Sequence, residues 1–129
     1  MAAPVVRSPI INDQSSMTNR DTVDECDLTW KQVRAVGIGA PGVVDNETGK
    51  VLFAPNLEWK DVPLKKELEK RLEVPVFVEN DCNLAMLGVH AHELRGKLRH
   101  LVGVFIGTGI GGGLVLNGEL YGGGIACRG

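Results

Sequence analysis

The chain has 129 residues and a mass of 13.9 kDa, 43% of them apolar and 23% charged, with a mean hydropathy of +0.02. That is enough for one domain with a core, and short for an enzyme that closes a cleft between two lobes. Fourteen basic against 16 acidic side chains leave a net charge of −2, which argues against nucleic acid or a membrane surface as partner.

Residues 1–22 are polar, rich in Ser, Asn and Asp, and without strand or helix period; they read as a poorly ordered leader to a folded part over 23–129. Leu28, Trp30 and Val33 line a short predicted helix over 23–33, which runs into the buried-strand pattern VRAVGI at 33–38. GAPG at 39–42 stops that strand in a bend, Val43 and Val44 resume an extended segment, and the turn composition of residues 46–49 returns the chain as the strand KVLF at 50–53. After APNLEW, Asp61 is the candidate N-cap of an amphipathic helix with Pro63 in its first turn and Leu64, Leu68 and Leu72 on one face. The strand VFVEN follows at 76–80, then the helical segment DCNLAMLGVHAHEL with Leu84, Leu87, Ala91 and Leu94 as its apolar face. A second buried strand, LVGVFI at 101–106, leads into GTGIGGG, and LVLNGELY forms a hairpin on the Asn117-Gly118 turn. The order is mixed α/β, with hairpins as well as crossover helices.

Three cysteines, Cys26, Cys82 and Cys127, are scattered and form no CxxC pair, which fits free thiols in a reducing compartment. There is no signal-peptide core and no bilayer-spanning apolar run, so the expected location is the cytoplasm. Most of the 17 glycines fall in the last thirty residues. Residues 107–112 match GxGxxG after a strand, yet a hairpin follows where a dinucleotide fold needs a helix, and there is no GK[ST] of a P-loop. What remains is a glycine turn whose backbone N–H groups can approach an anion, with the Thr108 hydroxyl as a further donor. Asn80 and Asp81 stand at the carboxyl end of a strand with Asn83 beginning the next helix. A carboxylate there can take a proton from a substrate hydroxyl while the Asn amide orients it. Equally, Asp81 or Asn83 can simply cap the helix, and spacing does not choose. GAPG reads as a structural bend. His90 and His92, two apart on a helix, point to different faces, and His100 is remote, so no metal site is expected.

Taken together, GIGAPGVVD, VLFAPNLEW, VPVFVENDCN and GTGIGGG, in this order over residues 33–123, resemble the ROK family of bacterial sugar kinases and sugar-responsive repressors, and its ATP-dependent glucokinases most. The resemblance implies part of an actin-like ATPase (ribonuclease H-like) fold, with a mixed sheet, hairpins and flanking helices, in which a hexose, expected to be glucose, meets ATP and Mg²⁺. It further implies Asp81 as the base that deprotonates the sugar hydroxyl. Gly42, Asn56 and Asn80 would lie at the sugar, and Thr108, Gly109, Gly111 and Gly112 at the ATP phosphates. The family's N-terminal D-x-G-G-T hairpin, its G-E-x-G-H segment and its Cys-rich zinc motif have no match, Cys127 standing too early and alone, and Gly88-Val89 replaces a common L-G-E. The expectation is therefore a truncated glucokinase whose phosphorylation of glucose to glucose 6-phosphate is impaired. A non-catalytic sugar-binding or interaction module is the alternative. The helix-turn-helix of the repressor branch is not matched, and the apolar edges of an incomplete sheet favour a homo-oligomer.

Overall fold

The computed structural model describes residue 23 and residues 25–122. The leader over 1–22, Cys127 and the glycines beyond Gly122 lie outside the described residues. The chain divides into two compact units between Ala35 and Val36. In the first, the helix expected over 23–33 is interrupted: residues 23 and 25 are helical, a turn follows at 26–27, and Trp30–Gln32 form a 3₁₀ turn, with the Thr29 N–H donating to Gln32 Oε1 at 2.8 Å. Asp27 is the local reason: its φ of 55° cannot continue a right-handed helix.

The second unit runs β1 (Val36–Ala40), β2 (Val43–Asp45), β3 (Lys50–Ala54), β4 (Trp59–Val62), α1 (Leu64–Leu72), β5 (Val76–Asn80), α2 (Asp81–Gly88), β6 (Leu101–Ile106), β7 (Ile110–Leu116) and β8 (Glu119–Tyr121). Parallel and antiparallel pairings occupy separate sheets. β1 pairs with β5 in parallel, while β2–β3–β4 and β6–β7–β8 are antiparallel meanders. The first strand begins at Val36, later than VRAVGI suggests. Its register with β5, from Val36↔Val76 to Ala40↔Asn80, brings both strands to their carboxyl ends together. The bend at 41–42 and the start of α2 therefore lie at one edge of the parallel pair.

Both expected turns form. Asp45 Oδ1 accepts from the Glu47 N–H (3.2 Å) to shape residues 46–49, and Asn117 and Gly118 take φ 56° and 85° in the two-residue β7–β8 turn. The expectation for Asp61 fails. It lies inside β4 with φ 53°, and Pro63 stands at the N-cap of α1 without a side-chain cap. Pairing of β4 with β3 claims the backbone around Asp61, and the Gly49 carbonyl accepts from the Lys65 N–H (3.0 Å) to satisfy one open donor of the helix. Leu64 and Leu68 are buried as the four-residue spacing predicts, with Val51, Ala54, Trp59, Val62, Val76 and Val78 completing that core. On the β6–β7 hairpin, Val102, Val104, Ile106 and Ile110 stay 65–82% exposed. Among the described residues no helix is long and apolar enough to cross a membrane.

Candidate functional site

The bend after β1 is built around Gly42, whose φ is +84°. A Cβ there would collide with the Phe53 carbonyl oxygen and lie 2.9 Å from Ala54 Cα, so only glycine lets β2 return this close to β3. The Gly42 carbonyl is then met from the other side by Asn80, whose Nδ2 donates to it at 2.9 Å. Asn80 also caps α2: its Oδ1 accepts from the backbone N–H of Cys82 (3.0 Å) and Asn83 (3.2 Å). The residue that caps the helix is thus neither Asp81 nor Asn83. With capping done by its neighbour, Asp81 sits exposed at the first position of α2, where the helix dipole favours a carboxylate, and accepts the Cys82 N–H through Oδ1 at 2.9 Å. Asn80 retains a second Nδ2 hydrogen for a ligand.

Glu79 was not among the residues expected from sequence. Its Oε1 accepts from the Asn80 backbone N–H (2.8 Å) and Asn83 Nδ2 (3.0 Å), and its Oε2 accepts from Asn46 Nδ2 in the β2–β3 turn (3.1 Å). The available signal was a Glu two positions before the Asp, with Asn three positions after the Asn cap.

The glycine segment divides into two parts. Gly107, Thr108 and Gly109 form the β6–β7 turn, closed by the Gly107 N–H donating to the Gly109 carbonyl at 2.9 Å, and a Cβ at Gly109 would meet nothing within 4 Å. That side of the turn is open to a ligand. Gly111 and Gly112 instead belong to β7, opposite Phe105 and Val104. The bareness of Gly111, with that of Gly103 and Gly113, admits α2, whereas a Cβ at Gly112 would face the Gly103 carbonyl oxygen at 3.1 Å. A Cβ at Gly111 would collide with Cys82 Sγ, one at Gly113 would lie 2.9 Å from Met86 Cβ, and one at Gly103 2.7 Å from Met86 Cε. The expected face of α2 is corrected accordingly. Leu84 and Leu87 are 40% and 42% exposed and Ala91 is exposed, while Met86 and His90 are buried. Cys82 and Met86, four residues apart, pack on the glycines, and His90 is buried in the π-helical turn Val89–Glu93 that follows α2. His90 Nε2 donates to the Leu98 carbonyl at 2.8 Å, a structural role.

A cavity of about 530 Å³ lies between these elements, lined by Gly42, Glu79, Asn80, Asn83, Gly112 and Tyr121 among others, with Val43, Val102 and Val104 as apolar wall. It unites Gly42, Asn80 and Gly112. Asp81, Asn56, Thr108, Gly109 and Gly111 are not on its lining, although the Gly111–Cys82 contact keeps the glycine segment against the turn that bears Asp81. Asn56 lies exposed in the 3₁₀ turn Pro55–Leu57. Among the described residues no group of three His, Cys, Asp or Glu could hold a metal.

Burial pushes the Cys82 thiol up, and the Asp81 carboxylate beside it adds to the effect. The thiolate is the nucleophile, so Cys82 is expected to alkylate more slowly than the exposed Cys26 at pH 8. Asp81→Asn should speed Cys82 about two- to threefold, because removing the negative charge favours the thiolate. Site-resolved mass spectrometry after timed iodoacetamide treatment checks both statements; equal rates in parent and variant would show that Asp81 does not act on the thiol.

A model of the ROK family matches residues 16–129. The glucokinase of Thermotoga maritima is 48% identical over 86 residues, 66% of this chain and 27% of that protein. The xylose repressor of Caldicellulosiruptor bescii is 34% identical over 100 residues, 78% of this chain and 25% of that protein. The crystal structure of a ROK family glucokinase from Streptomyces griseus in complex with glucose and AMPPNP superposes with a TM-score of 0.66 at 42% identity, covering 70% of this chain and 29% of that one. The chain spans about a quarter of the length of the curated relatives it matches. Its fold is that of the ROK sugar kinases, the actin-like ATPase fold.

Proposed function

Because the chain belongs to the ROK family, we propose that it carries the sugar-binding base and one phosphate loop of an ATP-dependent glucose kinase. The observation that carries this reading is the placement of Asp81. It is exposed at the carboxyl end of β5, while the neighbouring Asn80 does the capping and is tied to the Gly42 bend. On this reading Asp81 takes the proton of a sugar hydroxyl, O6 of glucose, as that oxygen becomes bonded to phosphorus. Asn80 offers its remaining amide hydrogen to a neighbouring hydroxyl, and Gly42 and Asn56 border the sugar. The open turn at Gly107–Gly109, with the Thr108 hydroxyl, fits phosphate oxygens, and Gly111 and Gly112 continue it as backbone without side chains. Mg-ATP, when bound, supplies the phosphoryl group and the cation that neutralises it. The chain's own contribution is positioning, together with removal of one proton.

A second reading has support in the xylose repressor of comparable similarity: a sugar-binding module without catalysis. Glucose titrated into ¹⁵N-labelled protein is expected to shift the amide signals of Gly42, Asn80 and Asp81. A titration that moves none of them defeats the sugar-site reading. Shifts unaccompanied by ADP release in the presence of Mg-ATP select the non-catalytic module.

A further inference from the structure

The start of α2 departs from the usual reciprocal arrangement. In a capping box the N-cap side chain accepts the N3 backbone N–H, and the N3 side chain accepts the N-cap N–H in return. Here the first half is present, since Asn80 Oδ1 accepts from the Asn83 N–H at 3.2 Å. The second half runs differently, because the Asn83 amide donates to Glu79 and the Asn80 N–H goes to that same carboxylate. Glu79, one residue before the cap, supplies the acceptor for both: Oε1 takes the Asn80 N–H at 2.8 Å and Asn83 Nδ2 at 3.0 Å. Its other oxygen takes Asn46 Nδ2 at 3.1 Å, from a turn 33 residues earlier in the chain. One carboxylate thus joins the strand end, the first turn of α2 and the β2–β3 turn. Asn80, held by it, joins the same helix start to the Gly42 bend.

We propose that Glu79 is a positioning residue, the acceptor that fixes the first turn of α2 against the β2–β3 turn and so sets the orientation of Asn80 and Asp81. An ionised acceptor suits the task. It can serve three donors at once, and hydrogen bonds to a charged group are stronger than neutral ones. Glu79 itself neither caps α2 nor, on this proposal, touches the reacting atoms. The sugar arm of the following test rests on the glucose-site reading above, and the exchange arm does not.

Amide hydrogen exchange of the whole 129-residue protein provides the test. In Glu79→Ala the backbone N–H groups of Cys82 and Asn83 are expected to exchange about tenfold faster, the size of a lost capping interaction, with the buried strand residues Val51 and Val115 unchanged. Glu79→Gln keeps a carbonyl oxygen for Asn80 and Asn83 and should return exchange to within about threefold of the parent. Glucose affinity, read from the amide titration, should fall about tenfold in Glu79→Ala and largely recover in Glu79→Gln. If Glu79→Ala does not fold, Asn83→Ala, which removes the helix-side tie, carries the same expectations for Cys82 exchange and affinity. Unchanged exchange at Cys82 and Asn83, or acceleration spread evenly through both sheets, overturns the proposal. Local loosening with undiminished glucose affinity overturns it too. A parent chain that binds no glucose sinks the glucose-site reading, and the exchange result then decides alone whether Glu79 holds the turn.

Discussion

Asp81→Ala is expected to lower glucose-dependent ADP release from Mg-ATP by about 10²- to 10⁴-fold, the usual worth of a general base. A coupled assay on the 129-residue protein, parent beside variant, measures it. The fold should survive the change. The helix start is capped by Asn80 and braced by Glu79, and the Cys82 N–H that Asp81 accepts also reaches Asn80 Oδ1, so Asp81 contributes to stability mainly through its place in the first turn, about 0.3–1 kcal/mol. Loss of turnover in a protein that keeps its circular dichroism and unfolding midpoint would therefore be a chemical effect. A variant that retained the parental rate would place the base elsewhere. A parent without turnover would leave the kinase reading unsupported for this chain, with the sugar titration then the measure of the binding module.

Gly42→Ala is expected to cost stability, roughly 3–6 kcal/mol, from three sources that act together. A left-handed φ of +84° costs an alanine about 1–2 kcal/mol. Its Cβ would be driven into the Phe53 carbonyl oxygen, with Ala54 Cα at 2.9 Å, and overpacking of that kind typically costs about 1–3 kcal/mol. Both neighbours are backbone atoms held by strand pairing, Phe53 with β2 and β4 and Ala54 with β4, so neither can swing aside as a side chain tip would. Shifting the bend also strains the 2.9 Å bond from Asn80 Nδ2 to the Gly42 carbonyl, worth about 1 kcal/mol. Against a total of about 5–15 kcal/mol for a domain, such a loss is a large fraction. Urea unfolding should show a lower midpoint at unchanged slope; a midpoint within error of the parent would mean that the bend relaxes freely and that glycine is not required there.

Much of this was legible in the residues because the signals are local. Asn117-Gly118 specifies its turn through the positive φ both residues tolerate, and residues 45–49 specify theirs through the Asp45 side chain. The junction of VFVEN with a helix placed Asp81 correctly at a strand end, because β-branched and aromatic residues at 76–78 followed by Asn80-Asp81 favour a strand that gives way to a helix start. The four linked motifs carried the family, and with it the fold.

Other features depended on what lies across the chain. WKDV at 59–62 has no strand period of its own and is a strand because β3 pairs with it, which removed Asp61 from the cap it was expected to make. α2 has apolar residues around most of its circumference, and the choice of buried face fell to the bare glycines of β6 and β7, which accept Cys82 and Met86 at distances no larger residue on those strands would permit. Three polar residues in Asn-Asp-x-Asn each could have capped the helix. Only the β1–β5 register, which sets the Gly42 carbonyl within reach of Asn80, decided among them, leaving Asp81 exposed and giving Glu79 two asparagines to hold. The sequence by itself determined turns, strand ends and family, because those follow from backbone preference within a few residues. The tertiary structure alone decided caps, faces and the place of Glu79, because each is a contest among equivalent local partners settled by a group from a distant segment.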